Sequence, residues 1–177
     1  MKSPLGRIDV PYYHHYGREL AKVIIQEKPK VVVETGLQGG FSTEHILEAL
    51  DKLGVGHLYT IDIITESCAG PLIHPRFTQI VGRSQDELKP LYERVGQFDF
   101  FIHDSDHEEE CMTFELEAAW EYVCDGGIIA GDDLTWGTHN AWPKFLTRHG
   151  IALWDPHIDG PDVHKAGAAL WFRRPRR

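Results

Sequence analysis

Apolar positions along this chain follow two rhythms that take turns. The runs "KVVVET" (30–35), "HLYTIDI" (57–63), "FTQIVG" (77–82), "QFDFFIHD" (97–104) and "GIIAGDD" (127–133) are short, rich in β-branched and aromatic residues, and predict strands. Between them the period lengthens. "STEHILEALDKLG" puts Ile46, Leu47, Leu50 and Leu53 on one helical face, with Ser42 placed to cap the helix and Gly54 to end it. "SQDELKPLYERV" predicts another helix, in which Pro90 marks either a kink or the first turn. "EEECMTFELEAAWEYVCDGG" sets Met112, Leu116, Ala119 and Val123 at helical spacing and stops at Gly126-Gly127. Beyond "NAWPKFLTRHG", the runs "IALWDPHI" and "GAALWFRR" predict two further strands. An N-terminal helix carries Leu20, Val23 and Ile24 on its apolar face. Strands separated by single helices are βαβ units, which build a mostly parallel sheet covered on both faces.

Length and composition narrow this picture. A chain of 177 residues with 42% hydrophobic content buries one substantial core, so a single domain over 1–177 is expected, divided into an N-terminal helical region (1–28) and an α/β core (29–177). The net charge of −9 argues against nucleic acid or an anionic membrane as partner, because both are held by clustered Lys and Arg. The one basic cluster, "RRPRR", reads as a solvated, frayed terminus. Cys68, Cys111 and Cys124 are odd in number and widely spaced, which fits thiols in a reducing compartment rather than a disulfide frame or zinc site. No apolar run reaches membrane-spanning length and "MKSPLGRIDV" has no signal-peptide core, so a soluble, cytoplasmic protein is expected.

In parallel sheets ligands bind at the carboxyl ends of the strands. Those ends carry Glu34 to Gly40, then Asp62, then Gly82-Arg83-Ser84, then Asp104 to His107, then Asp132-Asp133. The loop "ETGLQGGFS" turns a strand into a helix through Gly36, Gly39 and Gly40, residues that permit positive φ and let a ligand approach the backbone. It is not the dinucleotide fingerprint, since Gln38 stands where the second glycine belongs. Glu34 ahead of the turn sits badly beside a pyrophosphate, which disfavours a nicotinamide dehydrogenase.

On these residues the sequence resembles class I S-adenosylmethionine-dependent methyltransferases, and "ETGLQGGFS" looks especially like the metal-dependent catechol and caffeoyl-CoA O-methyltransferases. Further on, Asp104-Ser105-Asp106-His107 and "GGIIAGDDLTW" resemble the fourth- and fifth-strand motifs of that branch. Asp133 stands in place of the more usual Asn, and this version is closer to the macrolide-sugar O-methyltransferases, which carry two adjacent acids there and a His three residues after the first ligand. The resemblance implies a Rossmann-like, doubly wound, mostly parallel seven-stranded sheet with an antiparallel C-terminal strand. It implies that Glu34, Gly36, Gly40, Ser42, Asp62, Ser84 and Asp104 bind S-adenosylmethionine, that Asp104, Asp132 and Asp133 hold a divalent metal, and that His107 is the general base.

Electrostatics bears on the metal separately. Converging carboxylates raise one another's pKa unless a cation neutralises them, and an all-oxygen set selects Mg²⁺, with Mn²⁺ or Ca²⁺ as alternatives. Glu108 to Glu110 read as helix-start charges. Asp106 is either a metal neighbour or the helix cap. By resemblance Trp136 and His139 would wall the acceptor site, and the segment Tyr12 to Tyr16, His14 included, would fold over it as a lid; core packing or a homodimer contact is the competing use of that segment. The expected function is therefore O-methylation of a small-molecule hydroxyl. A metal-independent N- or C-methyltransferase and a non-catalytic cofactor-binding module are the rivals.

Overall fold

The structure, a computed structural model, describes residues 14–64, 72–131, 141–151, 163–166 and 169–176. Helix α1 (His14–Glu27) leads into β1 (Val31–Thr35), α2 (Phe41–Leu53), β2 (His57–Asp62) and β3 (Phe77–Val81). Then come α3 (Ser84–Val95), β4 (Phe98–His103), α4 (Glu109–Tyr122), β5 (Val123–Gly131), α5 (Ala141–Arg148), β6 (Val163–Ala166) and β7 (Ala169–Arg173). The strands form one sheet in the order β3-β2-β1-β4-β5-β7-β6. β1 to β5 run parallel, and β7 pairs antiparallel with both β5 and β6. The order reverses between β1 and β4, which is where such a sheet opens a crevice.

The strands read as nearly continuous apolar runs because both their faces are covered. Val32, Leu58, Phe100, Ile102, Ile128 and Ala130 pack on Leu20 and Ile24 of α1 and Ile46, Leu47 and Leu50 of α2. On the other face Val33, Ile61, Phe101 and Ile129 meet Leu88, Met112, Leu116, Trp142 and Phe145 of α3, α4 and α5. The polar interruption in β4 has its own use: Asp99 Oδ2 accepts the amides of Lys30 and Val31 at 2.7 and 2.9 Å, tying the start of β1 to its neighbour. Gly17 lets α1 cross closely over α2, since a Cβ there would lie 2.8 Å from the His45 ring and 3.2 Å from Ser42 Cα.

Three expectations change and one strand is added. Ser42 is not the cap of α2, whose N-cap is Gly40 in the left-handed region, although Gly54 does end the helix as expected. Of the two settings expected for Pro90, the helix interior rather than the first turn is the one observed. α4 stops at Tyr122 and β5 begins at once, because Val123 already pairs with Phe98; a register shift before Phe100 then absorbs the glycines. Gly127 has to be glycine in that irregularity, where a Cβ would stand 2.9 Å from the Asp99 carbonyl oxygen. The strand expected at 151–158 lies outside the described residues beyond Ile151, while β6 forms at 163–166, a segment with no strand reading. Finally, the basic tail is anchored: Arg173 bonds Glu27 at 2.7 Å, and Arg174, buried, donates to the Val123 carbonyl and Asp125 and lies over the Trp120 ring. Among the described residues no helix is long and apolar enough to cross a membrane.

Candidate functional site

Parallel register brings the carboxyl ends of the central strands to one edge. Thr35 is level with Ile61 on one side and His103 on the other, and His103 is level with Gly131. The ladder continues past the strands, with Gly36 N donating to the Ile61 carbonyl and Asp104 N to the Thr35 carbonyl, each at 2.9 Å. Gly36 is fixed by this pairing. Its φ of +91° disfavours any side chain, and a Cβ would fall 1.9 Å from the Asp104 carbonyl oxygen. The loop after β1 and the loop after β4 are therefore pressed backbone to backbone.

Two acids shape the glycine loop from opposite sides. Glu34, fully buried, accepts Ser42 Oγ and Thr43 Oγ1 at 2.6 Å and Thr60 Oγ1 at 2.9 Å, joining β1 to the first turn of α2 and to β2. Burial pushes its pKa up, and the three hydroxyl bonds pull back against that. Asp62 ends β2 and reaches across to the loop. Its Oδ2 accepts Leu37 N at 2.5 Å and Gln38 N at 3.3 Å, while Oδ1 accepts Ile64 N at 3.0 Å. Gln38 itself has φ +35°, a strained setting for a non-glycine residue, and Asp62 holds it there. Glu34 and Ser42 thus support the loop from within, and Asp62 stands at its outer side.

Under Asp104 lies a polar cluster with no counterpart in the sequence reading. Glu115 of α4 is fully buried and gathers donors from three other segments. Thr35 Oγ1 and His103 Nδ1 reach its Oε2 at 2.5 and 2.6 Å, and Ser105 Oγ reaches Oε1 at 2.7 Å. Burial would raise the carboxyl's pKa, but the hydrogen bond from His103, with bonds from Ser84 and Thr35, holds it low. The rings of His103 and His107 meet edge to face, 5.6 Å apart at 82°. Asp104 and His107 are both half-buried.

The structure thus brings Glu34, Gly36, Gly40, Ser42, Asp62, Asp104 and His107 to one edge of the sheet. Ser84 opens α3 next to it, with Arg83 rather than Ser84 in the cap position, and Ser84 is buried against the Glu115 cluster. Asp106 is not the cap of α4 either. Glu108 is, and Asp106 Oδ1 accepts its amide at 3.1 Å in the preceding turn. Glu109 and Glu110 do occupy the first turn of α4, and Glu109 pairs with Lys144. His14 opens α1. Tyr12, Asp132, Asp133, Trp136 and His139 lie outside the described residues, and among the described residues no three His, Cys, Asp or Glu side chains group so as to hold a metal ion.

A Rossmann-like sheet reversing at β1/β4, with an acid-flanked glycine loop at that crevice, defines the fold of a class I methyltransferase. Residues 33–134, more than half of the chain, match the methyltransferase-domain family, and the chain belongs to it. Solved structures share the fold at low identity. The MycE methyltransferase of the mycinamycin biosynthetic pathway, solved with Mg, SAH and mycinamycin VI, is 18% identical with a TM-score of 0.68; 94% of this chain covers 51% of MycE. The SAH-bound methyltransferase PaMTH1 of Podospora anserina is 18% identical with a TM-score of 0.69, over 92% of this chain and 78% of that one. The O-methyltransferase of Bacillus cereus, in complex with SAH, is 17% identical with a TM-score of 0.59, over 96% and 84%. The chain spans about half the length of MycE. No curated protein matches it in sequence.

Proposed function

We propose that this protein is an S-adenosylmethionine-dependent methyltransferase that methylates a hydroxyl of a small molecule with help from a divalent ion. The observation that carries the reading is the glycine loop: side-chain-free at Gly36 and Gly40, shaped by Asp62 and pressed on the backbone of Asp104. This set fits the cofactor. At Gly40 the loop carries no side chain, which lets a nucleoside sulfonium come close to the backbone, and the Asp62 and Asp104 carboxylates suit its hydroxyls and its positive charge. The solved relatives that hold SAH are consistent with it.

The cofactor supplies an already activated methyl group, so the chain's own work is positioning and proton removal. In this reading Asp62 takes the ribose hydroxyls, Gly36, Gly40 and Ser84 border the cofactor, and Glu34 and Ser42 keep the loop in shape. By the resemblance, Asp104 would hold the ion together with Asp132 and Asp133, which follow β5 in the sequence; carboxylates gathered on one site need a cation, and their oxygens favour Mg²⁺. The ion supplies positive charge that favours ionisation of the acceptor hydroxyl. His107 accepts that hydroxyl's proton, the role suited to a side chain that titrates near neutrality. Tyr12, His14, Trp136 and His139 are assigned to the acceptor side. The chain acts as one domain, and a homodimer would cover that side where its own loops are short.

The test is methyl transfer from labelled S-adenosylmethionine to a panel of sugar and phenol hydroxyls, with Mg²⁺ or with chelator. Transfer that needs Mg²⁺ and is lost in Asp132→Ala supports the proposal. Transfer surviving chelator points to the metal-independent rival, and cofactor binding without transfer across the panel points to a non-catalytic module.

A further inference from the structure

Glu115 and His103 are fully buried ionisable side chains beside the edge, as Glu34 is, but unlike Glu34 they have no task in the function proposed above. Both are 0% exposed, one on α4 and one closing β4, and Glu115 Oε2 lies 2.6 Å from His103 Nδ1. An ionised carboxylate only accepts, so the hydrogens around it are directed inward, among them those of Thr35 Oγ1, Ser105 Oγ, the Cys111 thiol and the imidazole. That constraint reaches the far side of the ring. Were the proton of His103 on Nε2, the bare Nδ1 would face the carboxylate lone pair against lone pair. Were the ring doubly protonated, Nε2–H would be a buried donor, and Nε2 has no hydrogen-bond partner. The neutral Nδ1–H form leaves at Nε2 only an unused acceptor, the least costly of the three. This ring packs edge to face against His107, three residues past Asp104.

We propose that Glu115 and His103 are positioning residues for His107: the carboxylate fixes His103 as its Nδ1–H tautomer and in one orientation, and the ring so fixed sets the orientation of His107. The inference rests on the reading of His107 as the base. It explains why an acid occupies the apolar face of α4 and why a histidine follows the apolar run Phe100 to Ile102 at the end of β4. Glu115 is fully buried and acts through the residues on either side of Asp104.

The test is the tautomer itself, read by nitrogen-15 NMR of the histidine-labelled full chain without cofactor or metal, with His103→Asn used for assignment. His103 is expected to show a protonated Nδ1 and a bare Nε2. In Glu115→Gln, whose amide can donate to Nδ1, the proton is expected to move to Nε2 and the ring signals of His107 to shift. In Ser105→Ala, which leaves Oε2 untouched, the His103 tautomer is expected to stay. A wild-type His103 protonated at Nε2, singly or doubly, overturns the proposal, as does a Glu115→Gln protein whose His107 signals stay put. Should Glu115→Gln fail to fold, the assignment variant His103→Asn is read for the same shift of His107, and its absence is equally fatal. None of these spectra involves methyl transfer, so this proposal and the functional one can fail separately.

Discussion

Gly36→Ala isolates the contact on which the site is built. The substitution forces a side chain onto a backbone at φ +91° and puts its Cβ 1.9 Å from the Asp104 carbonyl oxygen, where real Cβ contacts stop at about 3.0 Å. Left-handed backbone costs an alanine about 1–2 kcal/mol. Overpacking against a fixed neighbour adds about 1–3 kcal/mol, because the loop after β4 has to retreat. Gly54→Ala is the matched control: its φ is +69°, but nothing lies within 4 Å of the added Cβ. It carries the conformational cost alone. With each kcal/mol moving Tm by about 2–4 °C in a domain of this size, Gly36→Ala should melt about 2–12 °C below Gly54→Ala. Thermal unfolding of both variants, followed by circular dichroism, reads the difference. A Gly36→Ala protein as stable as Gly54→Ala would refute the close approach of the two loops.

Other expectations follow from the acids. Asp62→Ala removes the acceptor of two loop amides, so S-adenosylmethionine affinity by calorimetry should drop about tenfold or more, with about 1–3 kcal/mol lost from the loop. Asp99→Ala removes an equivalent pair of amide contacts at the opposite end of the sheet; it should cost about 1–2 kcal/mol of stability in denaturant and leave cofactor affinity unchanged. The pH dependence of stability should have opposite signs at the two buried glutamates. Glu34, raised from 4.5 by burial, stays protonated longer in the native state, so the stability of wild type over Glu34→Gln should fall as pH climbs above about 4.5. Glu115 is lowered from 4.5, so the advantage of wild type over Glu115→Gln should be complete above that value and shrink as pH falls below it. Urea melts across the acid range check both.

The sheet was readable because doubly buried strands leave long apolar runs, and the edge was readable because acids and glycines interrupt those runs at their ends. The limits of the sequence reading were local. Nothing in "EYVCDGG" marks Val123 as the first residue of a strand, since helix and strand are both apolar there and only pairing with Phe98 decides. Ser42 has a cap's side chain, but the strained loop gives the cap to Gly40 and turns the hydroxyl to Glu34. The tail "RRPRR" reads as solvated by charge alone, whereas partners distant in sequence, Glu27 and Asp125, bind it. Glu115 left a signal that the helical spacing already contained: it sits on the stripe defined by Met112, Leu116 and Ala119, where an acid is out of place. His103, at the end of "FDFFIH", is its match. An unpaired oddity in one element becomes legible when a second, elsewhere in the chain, can satisfy it.

The central claim is that the loop from Glu34 to Ser42 receives S-adenosylmethionine. Calorimetric titration of the folded chain with that cofactor, in chelator and then with Mg²⁺, tests it most directly. Saturable binding in both conditions, weakened in Asp62→Ala, is the predicted result. A folded protein that takes up no S-adenosylmethionine in either condition would contradict the account.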